Sequence, residues 1–196
     1  MIAYLKGNLT EKDPTYVNIE ISGIGYHVKI SLQTYGAIKE MDEVLLHTHL
    51  HIREDAHTLY GFSSMAEKKR FLDLISISGV GASTAMMVLS SLNADELQRA
   101  IANEDVKTIQ GVKGIGLKTA QRIVLELKDK MIKEGWEEKA ADQSKIGNTL
   151  ENEALSALIT LGIPRNTAQK SIDAILKEFG QEIKLEELIK QALRRA

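Results

Sequence analysis

The sequence predicts an α+β multidomain chain with an all-β N-terminal domain, a central all-helical domain and a C-terminal three-helix domain. Residues 1–62 contain runs that alternate apolar and polar positions with the period of two that is typical of β-strands. From residue 65 onward, apolar residues recur with the spacing of amphipathic helices. We therefore expect domains at 1–64, 65–134 and 150–196, the last one tethered by a polar, aperiodic flexible linker at 135–149.

Composition limits the classes of protein to consider. With 196 residues and 43% hydrophobic content, the chain can bury more than one small core. It has no cysteine, which excludes disulfides, thiolate nucleophiles and zinc knuckles. The N-terminus lacks the layout of a signal peptide, and no apolar run approaches the roughly 20 residues that cross a bilayer. We expect a cytoplasmic protein with no membrane partner.

The distribution of charge is more informative than the net charge of −2. Lys and Arg number 5 against 8 Asp and Glu in residues 1–64, 11 against 9 in residues 65–134, and 9 against 10 in residues 135–196. Only the central segment is net basic. Any phosphate binding should therefore be local, because long-range attraction by the whole chain is absent.

The N-terminal domain begins with a predicted hairpin. Tyr16–Ile21 and Tyr26–Ile30 are strand-like and flank the turn sequence SGIG, and Val44–Ile52 is a third β-rich run. The stretch HIREDAHTLYGF then predicts a tip between two extended segments, with Glu54 and Asp55 side by side.

Three histidines alternate along the third β-rich run. His47, His49 and His51 share one face of the predicted strand, a geometry that could bind a metal ion. Their neighbours Leu46, Thr48, Leu50 and Ile52 are predicted to form the core face. We favour histidines that face solvent or a subunit contact, and we predict no metal site and no cofactor.

The central segment contains an internal repeat. LISISGVGASTAMMVLSSL, which starts at Leu74, aligns with IQGVKGIGLKTAQRIVLEL, which starts at Ile109, at a constant offset of 35 residues. The apolar stripes repeat as well: Ala85, Val88, Leu89 and Leu92 match Ala120, Ile123, Val124 and Leu127. Each unit is predicted to be a helix, a Gly-x-Gly turn and a second helix.

Two glycines around one apolar residue allow a tight turn and leave no side chain between the backbone and a ligand. Val80 and Ile115 can point into the helix pair, while free N–H groups at the next helix face outward and favour an anion such as phosphate. A single turn of this kind could be a plain helix connection. Two copies in register, the second followed by basic residues, favour a helix-hairpin-helix motif that grips DNA backbone without reading bases. The predicted backbone-binding residues are Gly79, Val80, Gly81, Ser83, Gly114, Ile115, Gly116, Lys118, Thr119 and Arg122.

The last domain is predicted to have three helices broken at LGIPRN (Leu161 to Asn166) and FGQEIK (Phe179 to Lys184). Its apolar residues Leu158, Leu161, Ile163 and Leu193 could simply form the core of the bundle.

The chain as a whole resembles the RuvA family of Holliday-junction-binding subunits from the bacterial branch-migration complex. The resemblance covers essentially all residues, through GIGYHV, REDAHTLYGF, the two Gly-x-Gly hairpins and EALSALITLGI in that order. It implies an N-terminal OB-fold barrel, a double helix-hairpin-helix domain and a three-helix UBA-like domain. It also implies a non-catalytic subunit that holds four-way junctions open and planar for branch migration in recombination and repair.

The resemblance further implies partners and residue roles. Four subunits would form a flat homotetramer, singly or as two stacked tetramers, with Glu54 and Asp55 as an acidic pin at its centre and Arg53 beside them on a phosphate. Leu158, Leu161, Ile163 and Leu193 would contribute to the surface that docks the RuvB ATPase, and the RuvC resolvase would join a larger complex. ATP hydrolysis would come from the partner, since the chain has no P-loop sequence.

Some positions depart from the family pattern. Ala82 and Ser83 stand where proline and lysine are common, Leu117 where a basic residue is frequent, and Ile163 where an aromatic is often found. The first hairpin would then rely on backbone amides and a hydroxyl, which predicts weaker or more salt-sensitive binding.

Other classes explain the sequence less well. A helix-hairpin-helix DNA glycosylase needs a catalytic aspartate downstream of the hairpin, but Asp129 lies in the polar last turns of its helix with no catalytic-loop pattern after it. A nuclease needs clustered carboxylates, and the tip offers one adjacent pair. A pure protein-interaction adaptor leaves the twin hairpins unexplained. No catalytic residue is predicted.

Overall fold

The computed structural model describes residues 1–133, 149–180 and 183–195. It divides the chain into two compact units, residues 1–136 and 137–196. Residues 134–148, which include nearly all of the predicted linker, lie outside the described residues.

The first part of unit one is a closed five-stranded barrel, in agreement with the OB-fold barrel that the resemblance implies. Its elements are β1 (Tyr4–Asp13), β2 (Tyr16–Ile21), β3 (Ile24–Ile30), α1 (Leu32–Ile38), β4 (Glu43–Ile52) and β5 (His57–Phe62). The strands pair in the order β1-β2-β3-β5-β4, with β3 and β5 parallel and the other pairs antiparallel. The β2–β3 turn has positive φ at Ser22 (52°) and Gly23 (82°), as a two-residue type I′ hairpin turn requires.

The second part of unit one is helical and carries the repeat. Its helices are α2 (Met65–Ile75), α3 (Ala82–Ser91), α4 (Ala94–Ala102), α5 (Val106–Gln110) and α6 (Leu117–Lys133). Asn93 caps α4 with Glu96 in a reciprocal capping box. The predicted stripes are buried in one core, apart from Leu92, which is partly buried against it. We call α2 to α3 the first hairpin and α5 to α6 the second hairpin.

Helix α2 fastens the hairpins to the barrel through a polar and an aromatic contact. The buried carboxylate of Glu67 accepts hydrogen bonds from the hydroxyls of Ser31 and Thr34, the latter at 2.6 Å. One turn further, the ring of Phe71 lies 5.0 Å from those of Tyr60 and Phe62, between centroids. A buried, fully hydrogen-bonded charge tolerates little displacement, so barrel and hairpins form one body.

The same interface corrects the prediction for the histidine face of β4. His49 is half-buried, with its ring centroid 5.5 Å from that of Phe71, and His51 packs edge-on to Tyr60 at 6.3 Å. His49 therefore packs against α2 and His51 against β5, so these histidines are only partly open to solvent. Ile52, predicted to lie on the core face, is 63% exposed because β4 runs past the end of the barrel core.

Unit two is a three-helix bundle, as predicted, of α7 (Thr149–Thr160), α8 (Arg165–Phe179) and α9 (Leu185–Arg195). Gly162, with φ of 92°, ends α7 in a left-handed turn in which the Ile163 amide donates to the Leu158 carbonyl at 3.0 Å. Within the described ranges, no helix is both long and apolar enough to cross a membrane.

Candidate nucleic-acid interface

The two Gly-x-Gly turns have the same backbone structure. The Val80 amide donates to the Ile77 carbonyl at 3.0 Å, and the Ile115 amide donates to the Val112 carbonyl at 3.1 Å. Gly79 and Gly114 have φ of 87° and 86°, a conformation that strains any residue with a Cβ. The first glycine of each turn is thus required by the backbone.

The apolar residue between the glycines is buried in both turns. Val80 and Ile115 keep 4% and 6% of their surface, and both pack in the core that the hairpins share. Each anchors its turn so that the following helix starts at the surface. Gly81 caps α3 without a side chain, so no side-chain oxygen covers the first amides of that helix.

The second glycine of each turn is not required by the protein itself. A Cβ at Gly81 or Gly116 would meet no atom within 4 Å, and Gly81 has an ordinary φ of −83°. Neither packing nor strain explains glycine at position 81. An open surface there lets another molecule approach the helix N-terminus, where amides and the helix dipole attract an anion.

Basic and polar side chains surround the N-terminus of α6. Lys118, Thr119, Gln121 and Arg122 line a depression of about 430 Å³ together with Ser78 and Gly79 of the first turn. We call this the second-hairpin depression. The exposed Lys118 has no ion pair with any residue in the described ranges. Its ammonium is available to an anionic ligand.

Arg122 is partly engaged within the protein. Its Nη1 donates to the Ser78 carbonyl at 2.9 Å, and its Nε lies 3.3 Å from Oε1 of Glu126. The guanidinium therefore joins the two hairpins and keeps further donors for a ligand. Ser83, the predicted contact of the first hairpin, is exposed in the first turn of α3.

The acidic tip, residues 53–56, is a tight turn at the end of β4. The amides and carbonyls of Arg53 and Ala56 pair at 2.9 and 3.4 Å, leaving Glu54 and Asp55 as the two exposed turn residues. Nε of Arg53 lies 3.6 Å from Oδ1 of Asp55, with both side chains more than two-thirds exposed. Such a pair contributes little to stability, so the charges are not there to hold the turn.

The four predicted docking residues of unit two fall into different environments. Leu158 has no exposed surface, and Ile163 is half-buried against the same core. Leu161 and Leu193 are 60% and 43% exposed. The prediction that Leu158 presents a docking surface therefore needs correction, because its side chain packs the bundle core.

Known families match along most of the chain. The models described as RuvA N terminal domain, SAM-like Helix-hairpin-helix tandem and RuvA, C-terminal domain match residues 1–61, 71–129 and 149–196. The chain belongs to the RuvA family. Similar proteins include the Holliday junction branch migration complex subunits RuvA of Cytophaga hutchinsonii and Christiangramia forsetii, each 54% identical over at least 99% of both chains. The subunit of that name from Amoebophilus asiaticus is 48% identical over 99% of this chain and all of its own.

Sequence reasoning missed some lining residues of this RuvA-family chain. Ser78 and Gln121 line the second-hairpin depression although they lie outside the Gly-x-Gly motif. The repeat offset relates equivalent positions but does not predict that each turn faces the other hairpin's second helix, so no sequence signal indicated these two residues. Among the described residues, no group of three or more His, Asp or Glu is placed to hold a metal ion.

Proposed function

We propose that this chain is a non-catalytic DNA-binding subunit that recognises four-way Holliday junctions and holds them open and planar. The observation that carries the proposal is the pair of identical turns whose second glycines, Gly81 and Gly116, leave the helix N-termini open. Backbone amides and a few cations suit phosphates of any sequence, as junction binding requires. The relatives carry the name of a junction branch-migration subunit, which supports the junction as ligand rather than a glycosylase substrate.

The acidic tip fits this proposal as the element that distinguishes a junction from ordinary duplex. In a homotetramer, single or stacked in pairs, Glu54 and Asp55 of each subunit would meet near the crossover. Negative charges there repel phosphates of a duplex that passes through the middle. Arg53, exposed beside the pair, would hold a phosphate of the strand that is turned away.

The partners follow from the name of the relatives, which are subunits of a branch migration complex. We propose that unit two recruits the RuvB ATPase through its exposed Leu161 and Leu193, that RuvC joins a larger complex, and that the protein acts in the cytoplasm. Domain limits of 1–64, 65–134 and 150–196, with a flexible linker at 135–149, belong to the same proposal. ATP hydrolysis is assigned to the partner.

The test compares two DNA molecules of equal length and composition, an immobile four-way junction and a linear duplex. We expect the junction to bind at least tenfold more tightly at one fixed, low salt concentration, a difference of about 1.4 kcal/mol. An equimolar amount of duplex, added as competitor, should displace only a small fraction of the junction. Equal affinity for the two molecules would overturn the junction proposal.

A further inference from the structure

A second depression runs along α3 from Ser83 to Ser91 and shares four lining positions with the second-hairpin depression at the repeat offset. It measures about 400 Å³ and is lined from the hairpins by residues that include Ser83, Met86, Met87 and Lys113, and from the barrel by residues that include Lys29. We call it the first-hairpin depression. Ser83, Met86, Met87 and Lys113 match Lys118, Gln121, Arg122 and Ser78 at the repeat offset of 35.

The two depressions have their lysine on opposite walls. In the second-hairpin depression, Lys118 stands on the helix and Ser78 on the facing turn. In the first-hairpin depression, Ser83 stands on the helix and Lys113 on the facing turn. At these two equivalent positions, lysine and serine are exchanged between the depressions. The counterpart of Arg122 is Met87, and a second lysine, Lys29, lines the first-hairpin depression from the barrel.

In each depression, the helix and the facing turn are close enough for a side chain on either one to reach the same ligand. Nη1 of Arg122 on α6 lies 3.8 Å from where a Cβ on Gly79 would be, and Cε of Met87 on α3 lies 3.5 Å from the same point on Gly114. Each turn thus packs against the first turns of the other hairpin's second helix. A flexible lysine stem on either wall can bring its ammonium to an anion between them.

The charges of the first-hairpin depression favour an anion. Lys113 and Lys29 are exposed, and the ammonium group of neither has an ion pair or hydrogen bond with a residue in the part of the chain that the structure describes. No described lining residue is acidic. By contrast, Lys6, Lys12 and Lys128 elsewhere in the unit are paired with carboxylates.

We infer that Lys113 supplies the cation for a DNA backbone phosphate at the first hairpin, in place of a lysine on α3. This inference rests on the proposed function and deepens it, because it assigns a binding residue that lies outside the Gly-x-Gly motif. The Lys113 cation compensates for the weaker DNA binding that is predicted from Ser83 at a position where lysine is common. Each hairpin then binds phosphate with a lysine and a serine hydroxyl, and the second hairpin adds Arg122.

The test measures junction affinity across a series of salt concentrations for four variants of the full chain. Lys113→Ala and Lys118→Ala should each weaken binding and flatten the salt slope by about 0.9 for every phosphate that the lysine no longer neutralises. Moving the lysine back to the helix, as Lys113→Ser with Ser83→Lys, should restore affinity and slope. Lys107→Ala, an exposed lysine of α5 that lines neither depression, is the matched control and should leave both unchanged.

The outcomes separate this inference from the proposed function. If Lys118→Ala flattens the slope and Lys113→Ala does not, Lys113 binds no phosphate and the inference is overturned alone. It is also overturned if the relocated lysine fails to restore binding while the variant keeps the parent's denaturation midpoint. If the parent itself does not prefer the junction, the proposed function fails whatever Lys113 does.

Discussion

Arg122 on α6 donates a hydrogen bond from Nη1 to the carbonyl oxygen of Ser78, in the turn of the other hairpin, at 2.9 Å. The reciprocal contact is apolar, because Met87, the repeat counterpart of Arg122, lies over Gly114 with its Cε 3.5 Å from where a Cβ would be. The second helix of each hairpin thus contacts the turn of the other hairpin, through a polar side chain in one case and an apolar side chain in the other. Arg122 serves the fold and the candidate ligand site together.

Replacing Arg122 with Met, the residue at the equivalent position of α3, should affect both roles. We expect the free energy of unfolding to fall by about 1 kcal/mol, since the variant cannot form the hydrogen bond that this partly exposed charge donates. Junction affinity should fall with a flatter salt slope. Gln121→Met, in the same depression, is the control for added apolar surface. Urea denaturation and junction titration of both variants measure the two effects, and unchanged DNA binding by Arg122→Met would remove Arg122 from the site.

The glycines of the first turn should respond differently to substitution. Gly81→Thr should leave stability within about 0.5 kcal/mol, because the site is open and threonine caps helices about as well as glycine. Its junction affinity should fall about tenfold or more, near 1.4 kcal/mol, because the side chain blocks the approach of phosphate. Gly79→Ala should instead cost about 1–2 kcal/mol of stability, since φ is 87° there. Wild-type affinity in Gly81→Thr would contradict backbone approach at this turn.

Neutralising the acidic tip should change selectivity without changing stability. Glu54→Gln with Asp55→Asn keeps the shape of the turn and breaks only an exposed ion pair with Arg53. We expect duplex affinity to rise and junction affinity to hold or increase, so their ratio falls. Both should be measured at one low salt concentration, because screening hides the effect at high salt. A ratio equal to that of the parent would make the pair an ordinary surface turn.

Unit two should lose motor recruitment without unfolding when its exposed leucines are made polar. Leu161→Asp with Leu193→Asp should keep the denaturation midpoint and junction binding, yet reduce stimulation of the motor's branch migration. Ile159→Asp, at a residue that is 43% exposed on the same unit, is the matched control. Leu158→Ala should instead destabilise the bundle by about 2–5 kcal/mol, because it opens a cavity in the core. Full stimulation by the Leu161 and Leu193 double variant would exclude the docking proposal.

The packing of His49 predicts a dependence of stability on pH. Burial against α2 lowers the pKa of His49 below its ordinary value, and the nearby charges of His51 and Lys68 act in the same direction. The folded state then binds fewer protons than the unfolded state, so stability is fully present above the unfolded pKa and is lost as pH falls from there through the lower folded pKa. Urea midpoints should drop as pH falls below about 6.5, and less so in His49→Gln. The exposed His57→Gln should behave as the parent, and an equal drop in all three proteins would contradict this assignment.

The sequence predicted the repeat and both turns well, because spacing, glycine and burial all act locally there. It missed α1, a short helix that contains Gly36 and is capped by Ser31, whose hydroxyl also reaches Glu67 from a distant part of the chain. The packing of His49 was missed for a related reason. Alternation predicts which residues share a face, but not that α2 covers the outer face of β4. Which leucines of unit two are exposed depends likewise on packing among its three helices.

Glu67 and Phe71 hold α2 against the barrel and thereby fix the distance between the acidic tip and the hairpins. The acidic tip belongs to the barrel and the proposed phosphate sites belong to the hairpins, and the two parts are held rigidly together. If the proposed sites bind DNA, the distance from strand crossover to bound phosphate is fixed within each subunit. Glu67→Ala removes the polar contact between α2 and the barrel. The hydroxyl-radical footprint of the bound protein on a junction arm should then have less sharply defined edges, even if affinity is unchanged.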